Sequence, residues 1–199
     1  MIIAFDIDGV LAEAGKEFIK MINKFYDGIV IDESRYDFGL DAGVISRVHT
    51  LMVRCKAYEN LSLTEDALDI LILNSDDVIW YVTARSAPSN GSIDMANSVR
   101  EQTMRWLAKH KFPQHENLIF SADKVKTCIG LDAKYLVEDN WDAVQGAYEE
   151  GITAYLIDKP YNRSEDLVPF GEYSYPNRVR TIREAIRRAR ETEKATQKD

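Results

Sequence analysis

Five short apolar runs, each bounded by polar or turn residues, constrain this chain more than any other feature: Ile2 to Phe5, Val78 to Val82, Leu118 to Phe120, Tyr135 to Val137 and Thr153 to Ile157. Continuous apolar runs of this length suit strands buried on both faces, as in a parallel sheet. Between them lie segments with helical spacing, among them Met95 to Lys109 and Trp141 to Glu150, the second followed by Gly151 where a left-handed cap residue is expected. The alternation predicts a doubly wound, Rossmann-like α/β sheet.

The gap between the first two runs is anomalous, because about seventy residues separate Asp8 from Val78 where a crossover normally needs far fewer. Its pattern is helical: Phe18, Ile19, Ile22 and Phe25 share a face, and Val44 to Tyr58 and Leu63 to Leu73 follow. A small helical cap over residues 13–74 is expected, with the core formed by 1–12 and 75–199. Asp158 to Asn177 reads as loop. From Arg178 onward, Val179, Ile182, Ile186 and Ala189 fall on one helical face among many arginines, the pattern of a surface helix, and Thr192 to Asp199 read as a frayed end.

Composition narrows the function. A net charge of -8 over 199 residues argues against broad attraction to a nucleic-acid backbone or an anionic membrane. No apolar run is long enough to span a bilayer, and no secretory signal is visible, so a cytoplasmic setting is expected. The two cysteines, Cys55 and Cys128, lack a metal or redox pattern and read as free thiols.

Four of the runs end in chemistry-bearing residues. Asp6 and Asp8 leave the first run two residues apart, at the strand edge where open α/β sheets bind ligands. Their mutual repulsion would raise a pKa unless a cation offsets it, and magnesium is the simplest candidate. Gly9 comes too early for a calcium loop and permits a sharp turn. Thr83 ends the second run, where it could also cap a helix, and Lys124 follows the third. The fourth run ends in Glu138 and Asp139, where Asp139 or Asn140 could instead cap the helix that follows.

Asp6-Ile7-Asp8-Gly9-Val10 after a hydrophobic strand resembles the first motif of the haloacid dehalogenase superfamily, whose phosphatases act through a phospho-aspartate. The resemblance implies that Asp6 is the nucleophile and that Asp8 protonates the leaving oxygen and then activates water. An acid at position 8 favours phosphatase over dehalogenase chemistry. By the same resemblance, Thr83 with the neighbouring Ala84 backbone holds the phosphoryl group, and Arg85 adds charge complementarity or lies at the surface. Lys124, with Lys126 as a rival, neutralises the crowded oxygens. Asp139 joins Asp6 and Asp8 as a ligand of Mg2+, with Glu138 in direct or water-mediated support and Asp142 behind them.

Gly151 to Asn162, with its Lys159-Pro160-Tyr161-Asn162 ending, further resembles cytosolic 5'(3')-deoxyribonucleotidases. The chain departs from many of those in having Thr83-Ala84-Arg85 for Thr-Ser and Glu138-Asp139 for paired Asp. The implied activity is magnesium-dependent hydrolysis of nucleoside or deoxynucleoside 5'-monophosphates, with Tyr36, Phe38 and Tyr58 of the cap either flanking a base or forming cap core. Rivals are a polynucleotide 3'-phosphatase, a phosphatase of another small metabolite, and a non-catalytic nucleotide-binding protein.

Overall fold

The computed structural model describes residues 1–85, 93–163 and 177–196. Its centre is a six-stranded, wholly parallel sheet: β1 (Ile2–Phe5), β2 (Val78–Thr83), β3 (Leu118–Phe120), β4 (Tyr135–Glu138), β5 (Thr153–Ile157) and β6 (Arg178–Val179), in the order β3-β2-β1-β4-β5-β6. All five apolar runs are strands. Successive side chains enter opposite faces of the sheet: Ile3, Phe5, Tyr81, Val137 and Ile157 pack on one side, Ala4, Val82, Leu136 and Leu156 on the other. Both faces are covered, which is why the runs are predominantly apolar.

α4 (Lys124–Gly130) and α5 (Trp141–Glu149) contribute Cys128, Trp141, Val144 and Ala147 to the second face. α3 (Ile93–Lys109) and α6 (Ile182–Thr196) line the first through Val99, Trp106, Ile182, Ala185, Ile186 and Ala189. Gly151 closes α5 with φ +74°, the left-handed conformation expected there.

Between β1 and β2 stand α1 (Ala14–Phe25), α2 (Ala42–Arg54) and two 3₁₀ turns, Ala57–Glu59 and Ala67–Ile72. Asp41 caps α2 by accepting from Val44 N at 2.9 Å. Phe18, Met21 and Ile22 of α1 meet Val44, Val48 and Met52 of α2 in one apolar seam continuous with the sheet core.

Two expectations are corrected. Leu63 to Leu73 is not an α-helix: Leu63 bridges to Ala12, and the 3₁₀ turn that follows is tied to α6, where Asp66 accepts from Ile182 N and Asp69 pairs with Arg183 at 2.6 Å. Val179 belongs not to the helical stripe but to β6, paired with Ile157, where it is buried. Of the expected loop, residues 164–176 lie outside the described residues, and of the expected frayed end α6 continues through Thr196 while 197–199 lie outside them.

Candidate active site

The strand order reverses between β1 and β4, and the acids gather at that switch point, beyond the carboxyl ends of the strands. Asp6 follows β1, with its N–H donating to Val137 O of β4 at 2.9 Å. The turn after it is closed by Leu11 N and Ala12 N donating to Ile7 O at 2.9 and 2.8 Å, while Thr64 Oγ1 donates to Val10 O at 2.7 Å. Ile7, Val10 and Leu11 are buried beneath the turn and fix it. Gly9 is required here: its φ is +78°, and a Cβ would stand 1.7 Å from Asp139 Oδ2.

Asp6, Glu138 and Asp139 are buried, and one carboxylate oxygen of each lies within 4.8 Å of the others. Lys124, at the start of α4, reaches in with Nζ 2.8 Å from Asp6 Oδ1 and 2.7 Å from Glu138 Oε2. Asp123 caps α4 by accepting from Lys126 N, and the Lys126 side chain is exposed. The structure therefore brings Lys124, not Lys126, to the acids. One ammonium does not balance three carboxylates. Burial first and the neighbouring Glu138 second push Asp6 up to about 7. Burial above all, with Asp139 beside it, pushes Glu138 up to about 7, and burial with Asp6 beside it pushes Asp139 up to about 6.

This donor set fits a hard divalent cation. It is all oxygen, it is acidic, and Asp6 Oδ1 is buried with the Lys124 ammonium 2.8 Å away. Glu138 has both oxygens engaged, Oε2 by Lys124 and Oε1 by Asn140 N at 3.1 Å. Asp6 and Asp139 are thus the freer ligands, with Glu138 as their support. The Asp8 side chain is not among the three and turns instead to Arg85.

Thr83 is buried at the end of β2, its Oγ1 accepting from Arg85 N at 3.2 Å, and Ala84 lines a cavity with Lys124, Asn140 and Asp142. Arg85 is where the structure departs furthest from expectation. Its side chain is not at the surface but buried, and its guanidinium grips the Asp8 carboxylate.

Two residues with no assigned role support Asp139. The Tyr161 hydroxyl donates to its Oδ2, and Asn162 Nδ2 donates to its backbone oxygen and to Ile157 O, both at 2.8 Å. Their only signal was the Lys159-Pro160-Tyr161-Asn162 stretch. Facing the acids, a cavity of about 270 Å³ opens between α1, α2 and the β1 turn. Phe18, Phe38, Ile45, Met52 and Tyr58 give it an apolar wall, and Asp8, Gly9 and Asp139 lie at its floor.

A six-stranded parallel sheet with acids, a hydroxyl and a lysine gathered at its strand ends is the architecture of the haloacid dehalogenase-like hydrolases. A haloacid dehalogenase-like hydrolase from Burkholderia xenovorans superposes with a TM-score of 0.59 at 12% identity, over 96% of each chain. A hydrolase of the same superfamily from Deinococcus radiodurans, described with bound phosphate and sodium, gives 0.52 at 14% identity over 96% of this chain and 95% of its own. Mycobacterium tuberculosis Protein Tyrosine Kinase A gives 0.57 at 16% identity, over 94% and 96%, so the fold alone does not settle the activity. No curated protein matches the chain. Residues 1–168 match the family described as "5' nucleotidase, deoxy (Pyrimidine), cytosolic type C protein", and the chain belongs to that family. It is an enzyme, a phosphatase of the haloacid dehalogenase type.

Proposed function

We propose that the chain hydrolyses nucleoside or deoxynucleoside 5'-monophosphates through a phosphoryl group carried on Asp6, with Mg2+ as cofactor. The observation that carries this reading is the apolar cavity beside the acids. It offers the non-phosphate part of a small substrate aromatic walls while its floor presents Asp8 and Asp139. Phe38 and Phe18 stack with centroids 5.3 Å apart. Phe38 stands at φ +56°, a strained conformation for a bulky residue, held by Asp32 N donating to its carbonyl at 3.0 Å and by its own N–H donating to Arg35 O at 3.1 Å. Strain retained at a cavity wall supports a binding role. Residues 13–74 act in this reading as the cap that selects substrate and excludes water.

The placement of the side chains supports the following chemistry. Asp6 attacks phosphorus, the bond to the leaving oxygen breaks, and Asp8 gives that oxygen its proton. Asp8 then takes a proton from the water that attacks the phosphorus on Asp6, which releases phosphate and restores the carboxylate. Lys124 offsets negative charge beside Asp6, and Thr83 steadies the transferring group. Asp6 and Asp139 would hold Mg2+, which supplies charge neutralisation for the phosphate oxygens.

The rival polynucleotide 3'-phosphatase needs a basic face, and α6 does not offer one freely: Arg183 pairs with Asp69, Arg187 with Glu191 and Arg188 with Glu184, all at 2.6 or 2.7 Å. Among the described residues no helix is long and apolar enough to cross a membrane. The test is kcat/KM with Mg2+ across nucleotides, sugar phosphates and 3'-phosphorylated oligonucleotides. Nucleoside 5'-monophosphates should lead; preference for either other class would overturn the substrate assignment and leave the phosphatase chemistry standing.

A further inference from the structure

We propose that Arg85 is a positioning residue that presents the Asp8 carboxylate to the leaving oxygen and to the attacking water, and is not a substrate-binding cation. The inference rests on the acid and base role proposed above for Asp8. Its geometric basis is a two-sided grip. Arg85 Nε lies 3.0 Å from Asp8 Oδ1 and 2.9 Å from Oδ2, and Nη2 lies 2.6 Å from Oδ1. Oδ1 is therefore the anchored oxygen, and Oδ2, with one contact, is the oxygen left to carry a proton.

The far side of the guanidinium is fixed as firmly. Nη1 donates to Thr103 Oγ1 at 3.1 Å, and that hydroxyl donates to Val99 O one helical turn back on α3, at 2.8 Å. The Tyr58 and Trp106 rings lie 4.9 and 5.8 Å from the guanidinium carbon. The Arg85 side chain is 1% exposed while that of Asp8 is 34% exposed, so a ligand in the cavity meets the carboxylate and not the cation behind it. Substrate contact with Arg85 would require dismantling a part-buried bidentate pair.

The arrangement also joins the inserted segment to the acid. Tyr58, whose ring covers Arg85, has its hydroxyl 2.8 Å from His49 Nδ1 on α2. The orientation of Asp8 is thereby built from β2, α3 and the segment between β1 and β2 together.

The experiment compares a nucleoside 5'-monophosphate, whose leaving oxygen needs a proton, with p-nitrophenyl phosphate, whose leaving group does not. The enzymes are wild type, Asp8→Asn, Arg85→Ala, Arg85→Lys and Thr103→Val, each checked for fold by circular dichroism. Arg85→Ala should lower kcat for the nucleotide roughly tenfold to a hundredfold with little change in KM. With p-nitrophenyl phosphate it should give a burst of about one nitrophenolate per enzyme and then slow turnover, because phosphorylation of Asp6 proceeds and the water step lags. Asp8→Asn should show the same pattern more strongly, and Thr103→Val, which keeps the Arg85 side chain, a weaker one. Arg85→Lys should recover part of the loss. A rise in KM at unchanged kcat, or equal losses on both substrates without a burst, would overturn the inference while Asp8→Asn behaves as described. If Asp8→Asn itself lacks the leaving-group dependence, the acid and base reading of Asp8 fails first.

Discussion

At the scale of single residues, the site is a problem of excess negative charge solved by placement. In the proposed mechanism Asp6 carries the phosphoryl group. Asn at that position keeps the shape but cannot carry the phosphoryl group, so Asp6→Asn should lose at least roughly a thousandfold in kcat, the scale on which loss of a covalent catalyst is felt. Steady-state assay with an aryl phosphate checks it. Gly9 makes a second case, because its missing Cβ is what lets Asp139 and Tyr161 approach the turn. Gly9→Ala should displace Asp139 and raise the Mg2+ concentration for half-maximal activity about tenfold or more, the usual reach of changes that disturb a metal ligand's support. A metal titration unchanged from wild type would contradict it. Asp6, Thr83, Lys124 and Asp139 could be named from the sequence because each stands at or just beyond the end of an apolar run and falls on a motif of the family that the chain resembles. The grip of Arg85 on Asp8 could not, since residues 77 positions apart meet only through the pairing of β1 with β2.

At the scale of elements, the legibility of the fold follows from burial. Strands covered on both faces carry their signal locally, and all five were readable. β6 was not, because its two residues owe their conformation to pairing with Leu156 and Ile157. The apolar spacing from Leu63 onward is compatible with a helix, but its acids are engaged by α6, Asp66 by Ile182 N and Asp69 by Arg183. α3 ties the inserted segment to the core through Trp106, wholly buried, with Nε1 donating to Leu61 O at 2.8 Å and its ring against Phe112. Trp106→Ala should cost about 3–5 kcal/mol. In a domain of this size each kcal/mol lowers Tm by roughly 2–4 °C, so calorimetry should register a clear fall. A Tm within error of wild type would show that α3 and the inserted segment are held together by other contacts.

At the scale of the whole molecule, the sheet supplies rigid strand ends, the switch point supplies the crevice, and the inserted segment supplies an apolar wall above it. In the proposed mechanism a cation would complete the charge balance, so chelation should abolish activity and Mg2+ restore it. Mg2+ should also raise Tm, since a ligand at about a hundred times its Kd adds roughly 2.7 kcal/mol to a state that alone binds it. Full activity in excess chelator, or no thermal shift, would contradict the metal assignment. The central claim is that phosphate passes through Asp6. Its most direct test is acid-quenched single turnover of Asp8→Asn with p-nitrophenyl phosphate and Mg2+, followed by peptide mass spectrometry. The account predicts one phosphoryl group on the peptide containing Asp6, absent when Asp6→Asn is added; product formation with no phosphorylated peptide at any time point would contradict it.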